Sequence, residues 1–226
     1  MNYEISKINL KGANSYLIKT DKGFILVDMG SFHSIERLEK ELDNMGGNLR
    51  DTDYIFITHA HVDHVAGLKK IKKLSQADII IQKNGIKYLK KGDSKVPSGT
   101  NLFGKILIKL GSIFSSSSFE AISPDITFEK EYIFTEPTIN AKIIHTPGHT
   151  DDSSCLILDE KHCFVGDTLF NIPFTKTNYP PFANDQAELK ESIKKLAATN
   201  CEYFYPGHGN TINKKDLEQT LKKINS

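Results

Sequence analysis

Five of the eight histidines in this sequence fall into one pattern with two aspartates. The pattern opens with the run Thr58-His59-Ala60-His61-Val62-Asp63-His64 and is completed much later by His149, Asp167 and His208. Neutral imidazole and carboxylate are the groups that zinc and its first-row neighbours bind in proteins. Seven such donors suit two divalent cations that share one ligand, and a water held between two cations becomes a nucleophile near neutral pH. The pattern therefore predicts metal-assisted hydrolysis.

The spacing inside the first run divides its donors. His59 and His61 alternate by two, so in an extended segment their side chains project to the same side. Asp63 and His64 are adjacent, so their side chains diverge and can serve a different metal. Taken alone, His208 would be interpreted as an ordinary core histidine, and only the complete set favours a metal centre. The remaining histidines are interpreted as surface or strand residues and not as ligands: His33, His145 and His162.

The bulk composition limits the class of protein. A chain of 226 residues with 38% hydrophobic content fits a single domain spanning 1–226. The net charge of +1 gives no indication of a polyanionic partner. The sequence has neither an apolar secretory leader at its start nor a run long enough for a membrane span. Three cysteines, sparse and odd in number, favour a reducing compartment, so we expect a cytoplasmic protein with no membrane association.

The elements that must position the donors alternate in the first half of the chain. Apolar runs of strand length alternate there with stretches of helical spacing, which predicts α/β layering. A short apolar run at 54–57 delivers the first histidines at its carboxyl end. The predicted elements are strands at 16–18, 24–27, 54–57 and 79–81, and helices at 33–45, with Ser34 as N-cap, and 65–74.

The second half is richer in strands. Predicted strands lie at 126–128, 132–134, 141–145, 155–158, 162–165 and 203–205, and helices at 185–198, capped by Asn184 or Asp185, and 214–224. Residues 84–125 exceed what a simple connection needs, and apolar positions recur at helical spacing over 102–114. We interpret 84–125 as a helical insertion. A helix packed on the body is favoured over a substrate lid, and a homodimer contact is a further alternative.

The motifs around the donors resemble those of the metallo-β-lactamase superfamily, in its glyoxalase II-like hydrolase branch. In the family's order they are LVDMG at 26–30, THAHVDH at 58–64, TPGHT at 146–150, GDTLF at 166–170 and YPGHG at 205–209. The resemblance implies an α/β fold, the four-layer αββα sandwich, with metals at the edge where two sheets meet. It also implies the ligand sets: His59, His61 and His149 for one ion, Asp63, His64 and His208 for the other, and Asp167 as the bridge. Two divalent ions are expected, Zn²⁺ first, with iron or manganese as alternatives.

By the same resemblance, the expected reaction is attack of a metal-activated hydroxide on an ester, thioester or lactone carbonyl of a small molecule. Asp63 is expected to act catalytically as well, by handling a proton. Phe170 stands where lactonases of this architecture carry a tyrosine, and Tyr179 is a candidate substitute, so both are candidate substrate-binding residues. Asp28 is either an acceptor that orients a ligand or a turn cap.

Two other classes of function stay open on the same scaffold. One is an oxidoreductase similar to persulfide dioxygenases, with a single iron. The other is a phosphodiester or nucleic-acid-processing hydrolase, since residues 69–109 contain eleven lysines with Asp78 and Asp93 as the only acids. Those lysines are more simply the solvated face of a helix, so a small-molecule substrate is expected rather than nucleic acid.

Overall fold

The computed structural model describes residues 3–10, 12–30, 35–94, 100, 117–136, 138–173 and 177–225. The helix predicted at 102–114 and the cap predicted at Ser34 lie outside these ranges. Inside the segment interpreted as an insertion, the described part includes a short helix at Ile86–Lys91.

Twelve strands and six α-helices make up the described parts of the chain. In the first half they are β1 (Glu4–Asn9), β2 (Asn14–Lys19), β3 (Phe24–Val27), α1 (Ile35–Asn44), β4 (Thr52–Phe56), α2 (Val62–Val65), α3 (Leu68–Ser75), β5 (Asp78–Gln82), α4 (Ile86–Lys91) and β6 (Ile126–Phe128). In the second half they are β7 (Glu131–Ile133), β8 (Ala141–His145), β9 (Ser154–Leu158), β10 (His162–Asn171), α5 (Gln186–Ala197), β11 (Tyr203–Gly209), β12 (Ile212–Asn213) and α6 (Lys214–Asn225). Short 3₁₀ turns at Leu49–Asp51 and Lys83–Gly85 join neighbouring elements.

The strands form two six-stranded mixed sheets. The first has the order β1-β2-β3-β4-β5-β6, and the second has the order β12-β11-β10-β9-β8-β7. In the first sheet β3, β4, β5 and β6 run parallel, so their carboxyl ends lie at one edge. In the second sheet the parallel pair is β10 and β11. Both parallel regions therefore deliver strand ends from which functional side chains can project.

Alternation along the strands explains why the sheets pack face to face. Successive side chains of a strand point to opposite faces. In β3, Ile25 and Val27 belong to the core between the two sheets, while Leu26 belongs to the core on the outer face of the first sheet. The core between the sheets joins residues from both, for example Phe56 of β4 and Phe164 of β10. Strands with two buried faces need a covering layer on each side.

Helices supply both outer layers. Leu38 of α1 and Ile71 of α3 are fully buried against the first sheet. Leu189 and Ile193 of α5 are fully buried against the second sheet. The predicted four-layer αββα fold is confirmed. Of the two predicted caps for α5, the structure uses Asp185, whose Oδ1 accepts hydrogen bonds from the first turn of the helix.

Three predicted elements are wrong in extent, and all of them lie beside the donor motifs. The single helix predicted at 65–74 is two helices, because the Gly67 amide donates to the carbonyl of Gly30 at 2.9 Å. The first of them, α2, already begins inside the donor run. Strands β10 and β11 extend to Asn171 and Gly209, so Asp167 and His208 lie within strands rather than in loops. In the described part of the chain, no helix has the length and apolar character to cross a bilayer.

Candidate metal centre

Every predicted donor reaches the same edge of the two sheets. His59 and His61 follow β4, and Asp63 and His64 lie on α2 immediately after them. The second sheet contributes the rest from the turn after β8, from β10 and from β11: His149, Asp167 and His208. The structure thus brings together all seven residues from positions far apart in the sequence.

His59, His61 and His149 form one cluster, here called the first donor group. All three are buried, with exposures of 0%, 5% and 1%. The Nε2 of His59 lies 2.9 Å from the Nδ1 of His61, and the Nε2 of His149 lies 3.2 Å from that same Nδ1. Three ring nitrogens therefore converge on one point, and the separations resemble those of two ligand atoms around a small cation, for which zinc–nitrogen distances are about 2.0–2.1 Å.

Outer hydrogen bonds set the tautomers of this group. The Nδ1 of His149 lies 2.9 Å from the carbonyl oxygen of Phe182, which can only accept, so the proton of a neutral ring sits on Nδ1. The hydroxyl of Thr58 donates to Asp28 at 2.8 Å, so its oxygen is left to accept from the Nδ1 of His59, 3.1 Å away. In both rings the lone pair of Nε2 consequently points inward, as a metal ligand requires.

Asp63, His64 and His208 form the second donor group. Its ligand atoms lie within 4.8 Å of one another. The Nε2 of His208 is 3.2 Å from the Oδ2 of Asp63, and the Nε2 of His64 is 4.0 Å from the same oxygen. The side chains of Asp63 and His208 are 27% and 24% exposed, so this group opens to solvent while the first group does not.

Asp167 lies between the two groups. Its Oδ2 is 3.4 Å from the Nε2 of His149 and 3.4 Å from the Nε2 of His208. Its Oδ1 is 3.4 Å from the Nε2 of His64. The carboxylate therefore faces both groups, which is the placement that the resemblance implies for a bridging ligand.

Asp28 sits behind the second group. Its Oδ2 accepts from the Nδ1 of His64 at 2.7 Å, and its Oδ1 accepts from the backbone amide of Thr58 at 2.8 Å. Asp28 takes a left-handed backbone conformation, with φ of 59°, that aims the carboxylate back at the donor run. Of the two alternatives left open by the sequence, this geometry favours an acceptor that orients a ligand, and the role of Asp28 stays a prediction.

A further buried carboxylate, Asp152, was not singled out by sequence reasoning. Its Oδ2 accepts from the amide of Ala60 at 2.9 Å, between the two histidines of the first group. Burial raises the pKa of Asp152 to about 6, although the hydrogen bond from Thr150 works in the opposite direction. The only sequence signal was the Asp-Asp pair directly after the TPGHT motif, which carries no spacing rule.

The two donor groups differ in protonation. Burial, and then the neighbouring His149, lower the pKa of His61 to about 3, and burial likewise lowers the pKa values of His59 and His149. Burial also lowers the pKa of His208, but the carboxylates of Asp167 and Asp63 outweigh it and raise that pKa to about 10. In the metal-free protein the second group thus supplies its own positive charge.

Burial disfavours the ionised forms of Asp63 and Asp167. The charges of neighbouring imidazolium rings nevertheless hold the pKa values of both carboxyl groups below the usual range. For Asp63 the partners are His64 and His208, and for Asp167 they are His208 and His64. Three buried or half-buried carboxylates, those of Asp28, Asp63 and Asp167, therefore gather around cationic charge. A bound divalent cation would balance the charge of these carboxylates in place of the protonated imidazole rings.

The donor set fits divalent metal on a direct structural observation. The Nε2 of His64 and the Oδ1 of Asp167 are buried, and neither makes a hydrogen bond with the described residues. Buried polar atoms of native proteins are nearly always satisfied, so two orphans that face each other at 3.4 Å call for a binding partner. Nitrogen and carboxylate oxygen are suitable donors for zinc, iron or manganese alike.

The candidate substrate residues occupy different surroundings. The ring of Phe170 is 4.8 Å from the ring of His208, so Phe170 borders the second donor group. Tyr179 packs on the core beneath α5, and its buried hydroxyl has no hydrogen-bond partner among the described residues. A role for either residue in binding substrate stays a prediction.

The other sequence features lie away from the centre or outside the described residues. His145 bonds to the carbonyl of Asp151 and His162 bonds to the hydroxyl of Tyr205, while His33 lies outside the described ranges. Within the described part of the lysine-rich segment, five lysines have a carboxylate partner within 4.0 Å: Lys69, Lys72, Lys83, Lys87 and Lys91. This pairing is the behaviour of a solvated surface.

The fold and the donor set are those of a metallo-hydrolase superfamily. The family model described as "Metallo-beta-lactamase superfamily" matches residues 8–208, and the chain belongs to that family. A protein of Methanocaldococcus jannaschii described as a probable metallo-hydrolase is 33% identical over 211 residues, which cover 91% of this chain and 92% of that protein.

Other relatives are longer than the region they share with this chain. The β-lactamase-like protein 2 homolog of Drosophila melanogaster is 27% identical over 225 residues, and the match covers 97% of this chain but 64% of that protein.

Among solved structures, the BLEG-1 B3 metallo-β-lactamase is 20% identical with a TM-score of 0.75, over 99% of this chain and 100% of that one. An archaeal superfamily protein from Sulfolobus tokodaii is 21% identical with a TM-score of 0.70, over 98% and 86%. At these identities the solved structures show the shared fold.

Proposed function

We propose that this protein is a dinuclear metal-dependent hydrolase, with Zn²⁺ as the expected ion, that cleaves an ester, thioester or lactone of a small molecule. The observation that carries the proposal is the completeness of both donor groups around one shared carboxylate. His149 and His208 belong to different groups, yet each lies 3.4 Å from the same oxygen of Asp167. A protein that used a single ion would not need Asp63 and His208 beside it.

When bound, a pair of divalent ions supplies a nucleophile from water near neutral pH and polarises the oxygen of a carbonyl group. The first donor group would hold one ion, the second group would hold the other, and Asp167 would be shared. The buried carboxylate of Asp28 fixes the ring of His64 from behind, which maintains the direction of its donor nitrogen.

We assign Asp63 a second task as the proton acceptor of the reaction. Its carboxylate is 27% exposed, whereas that of Asp167 is 5% exposed, so Asp63 connects the site to solvent. Its carboxylate therefore lies where it can accept a proton inside the centre and pass it to solvent.

The residue that borders the open side supports the proposed substrate class. Phe170 presents an apolar ring beside His208 and has no group that could donate a hydrogen bond. Esters, thioesters and lactones need less assistance to their leaving groups than amides do, so an apolar wall is compatible with them. Pairing of five lysines in the described part of the lysine-rich segment gives no support to a polyanionic substrate.

The test is elemental analysis of protein purified without added metal, followed by assays on a panel of thioesters, lactones, simple esters and phosphodiesters. We expect about two metal equivalents per chain and hydrolysis of carbonyl substrates only. The variant Asp63→Asn, assayed with its metal content verified, should lose turnover more than substrate binding. The control Asp43→Asn changes an exposed acid of α1 and should leave both unchanged.

Two results would contradict this proposal. A single iron with oxygen consumption would favour the oxidoreductase alternative, and turnover of phosphodiesters with none of the carbonyl compounds would favour nucleic-acid processing. Either result would leave the fold and the family membership intact.

A further inference from the structure

His208 differs from His59, His64 and His149 in what holds its ring. The outer nitrogens of His59, His64 and His149 each bond to a neighbouring oxygen at 3.1, 2.7 and 2.9 Å. The Nδ1 of His208 makes no hydrogen bond with any described residue. Since no outer partner orients this ring, its position depends on the backbone that carries it.

The sheet that contains His208 does not fix that backbone well. The pairing of β10 with β11 is regular up to Phe164 opposite Tyr205, and then its register shifts twice before Phe170 comes opposite His208. Pro206 lies at the first shift and has no N–H to pair. The carbonyl groups that flank His208 must find partners outside the regular ladder.

Those partners come from the first sheet. The side-chain amide of Asn14 donates to the carbonyl of Pro206 at 3.0 Å and to that of Gly209 at 2.9 Å. The hydroxyl of Tyr16 also donates to Pro206, at 2.7 Å. An amide nitrogen carries two hydrogens, so Asn14 uses both of them to bracket His208.

Burial makes these bonds specific. Asn14 is 7% exposed and Tyr16 is 2% exposed, so water is no easy substitute in their two bonds to the carbonyl of Pro206. The bond from Asn14 to Gly209 is partly buried, and the carbonyl of Gly209 also accepts from the Nζ of Lys7 at 2.7 Å. The bracketed segment also has little room to move. A Cβ on Gly207 would lie 2.4 Å from the Oδ1 of Asp167 and 2.7 Å from the Cε1 of His64.

We propose that Asn14 and Tyr16 are positioning residues for His208, and that they hold the second donor group together across the two halves of the fold. The inference rests on the proposed function in one respect, that the second donor group binds an ion. Asn14 touches neither substrate nor metal in this assignment. It acts through the two carbonyl groups on either side of His208.

The experiment is a zinc titration of chelator-treated protein by calorimetry, with Asn14→Leu and Tyr16→Phe as the variants. We expect one of two binding events to weaken by about 10–100-fold, the range for loss of a group that orients a ligand, with the other unchanged. The variant His208→Ala identifies which event belongs to the second group.

Tyr54→Phe is the matched control for Tyr16→Phe. Tyr54 also reaches across the fold, from β4 to the carboxylate of Glu136, but away from the metal centre. A general loosening of the two halves would affect the control as well, whereas a positioning role affects only the Asn14 and Tyr16 variants. Equal weakening of both events, or wild-type binding in folded variants, would overturn the proposal.

A second readout keeps the inference separate from the proposed function. In metal-free protein, long-range nitrogen–proton NMR reports each histidine ring, and His208 is assigned by its absence in His208→Ala. We expect Asn14→Leu to shift the ring resonances of His208 and to leave those of His149 in place. If the wild type binds fewer than two zinc ions, the proposed function fails. The positioning role of Asn14 is then refuted only if the His208 resonances are unchanged in Asn14→Leu.

Discussion

The two donor groups show two ways of preparing histidines for a metal. In the first group the rings are buried, their pKa values are lowered, and outer hydrogen bonds already set the inward lone pairs of His59 and His149. In the second group the neighbouring carboxylates raise the pKa values of His64 and His208, and two of the side chains remain about a quarter exposed. The first group is therefore ready to bind, while the second must release protons to do so.

The difference has a physical origin in the position of the carboxylates. The second group contains Asp63, and Asp28 contacts its His64 directly, whereas no carboxylate belongs to the first group except the shared Asp167. Burial and neighbouring imidazoles lower the pKa values in the first group, whereas in the second group the nearby carboxylates outweigh burial. An ion in the second group should bind more weakly near neutral pH and exchange more readily.

The largest effect should come from the residue that the two groups share. Asp167→Asn removes the negative charge that faces His149, His208 and His64 together. We expect zinc affinity to fall at both groups, and turnover to fall by more than the roughly 100-fold that the loss of an orienting group can cost. Calorimetry measures the zinc affinity of each group, and steady-state kinetics measures the turnover. Loss at a single group would contradict the bridging placement.

Asp28→Asn should change zinc affinity to different extents at the two donor groups. Asparagine tolerates the left-handed conformation that Asp28 adopts, so the backbone is expected to survive the change. The charge behind His64 is lost, and zinc affinity at the second group should fall by about 10–100-fold. The first group should lose less, because Asp28 reaches His59 only through the hydroxyl of Thr58. A chelator competition assay resolves the two, with Asp43→Asn on the surface of α1 as the control.

The pH dependence of binding should differ between the groups. A pKa of about 10 for His208 means that its ring is protonated at neutral pH in the metal-free protein, and a bound ion must displace that proton. Affinity at the second group should therefore fall by about tenfold for each unit that the pH decreases, for each proton displaced.

The rings of the first group titrate below neutral pH, with the pKa of His61 at about 3. Affinity there should stay nearly constant between about pH 6 and pH 8. Zinc titrations across that range, with proton release measured from the buffer dependence of the binding enthalpy, check both slopes. If zinc affinity depended on pH equally at the two groups, the inferred difference in their protonation would be wrong.

The smallest effect should follow Asp152→Asn. The variant keeps an oxygen that can accept from the amide of Ala60, so the first donor group should lose less than about tenfold in zinc affinity. Because burial raises the pKa of Asp152 to about 6, the neutral amide should also cost little stability near that pH. Thermal unfolding with and without zinc measures both, and a large loss would indicate that the charge of Asp152 matters to the site.

Much of the fold could be predicted because its signals are local. Apolar runs such as 54–57 and the helical spacing of 185–198 reflect burial on one or two faces, and the structure places β4 and α5 there. The errors lie where functional geometry overrides local pattern. The break at Gly67 depends on a hydrogen bond to Gly30, which is distant in the sequence.

The sequence by itself determined the chemistry of the centre, because imidazole and carboxylate at fixed short spacings, such as those from His59 to His64, can be recognised without coordinates. Only the tertiary structure decided how each donor is held. Asp28, Asp152 and Asn14 act through groups that lie 30, 92 and 192 or more positions away along the chain. Contacts of that range depend on how two sheets pack, and no periodicity in the chain encodes which buried polar atom will meet which backbone group.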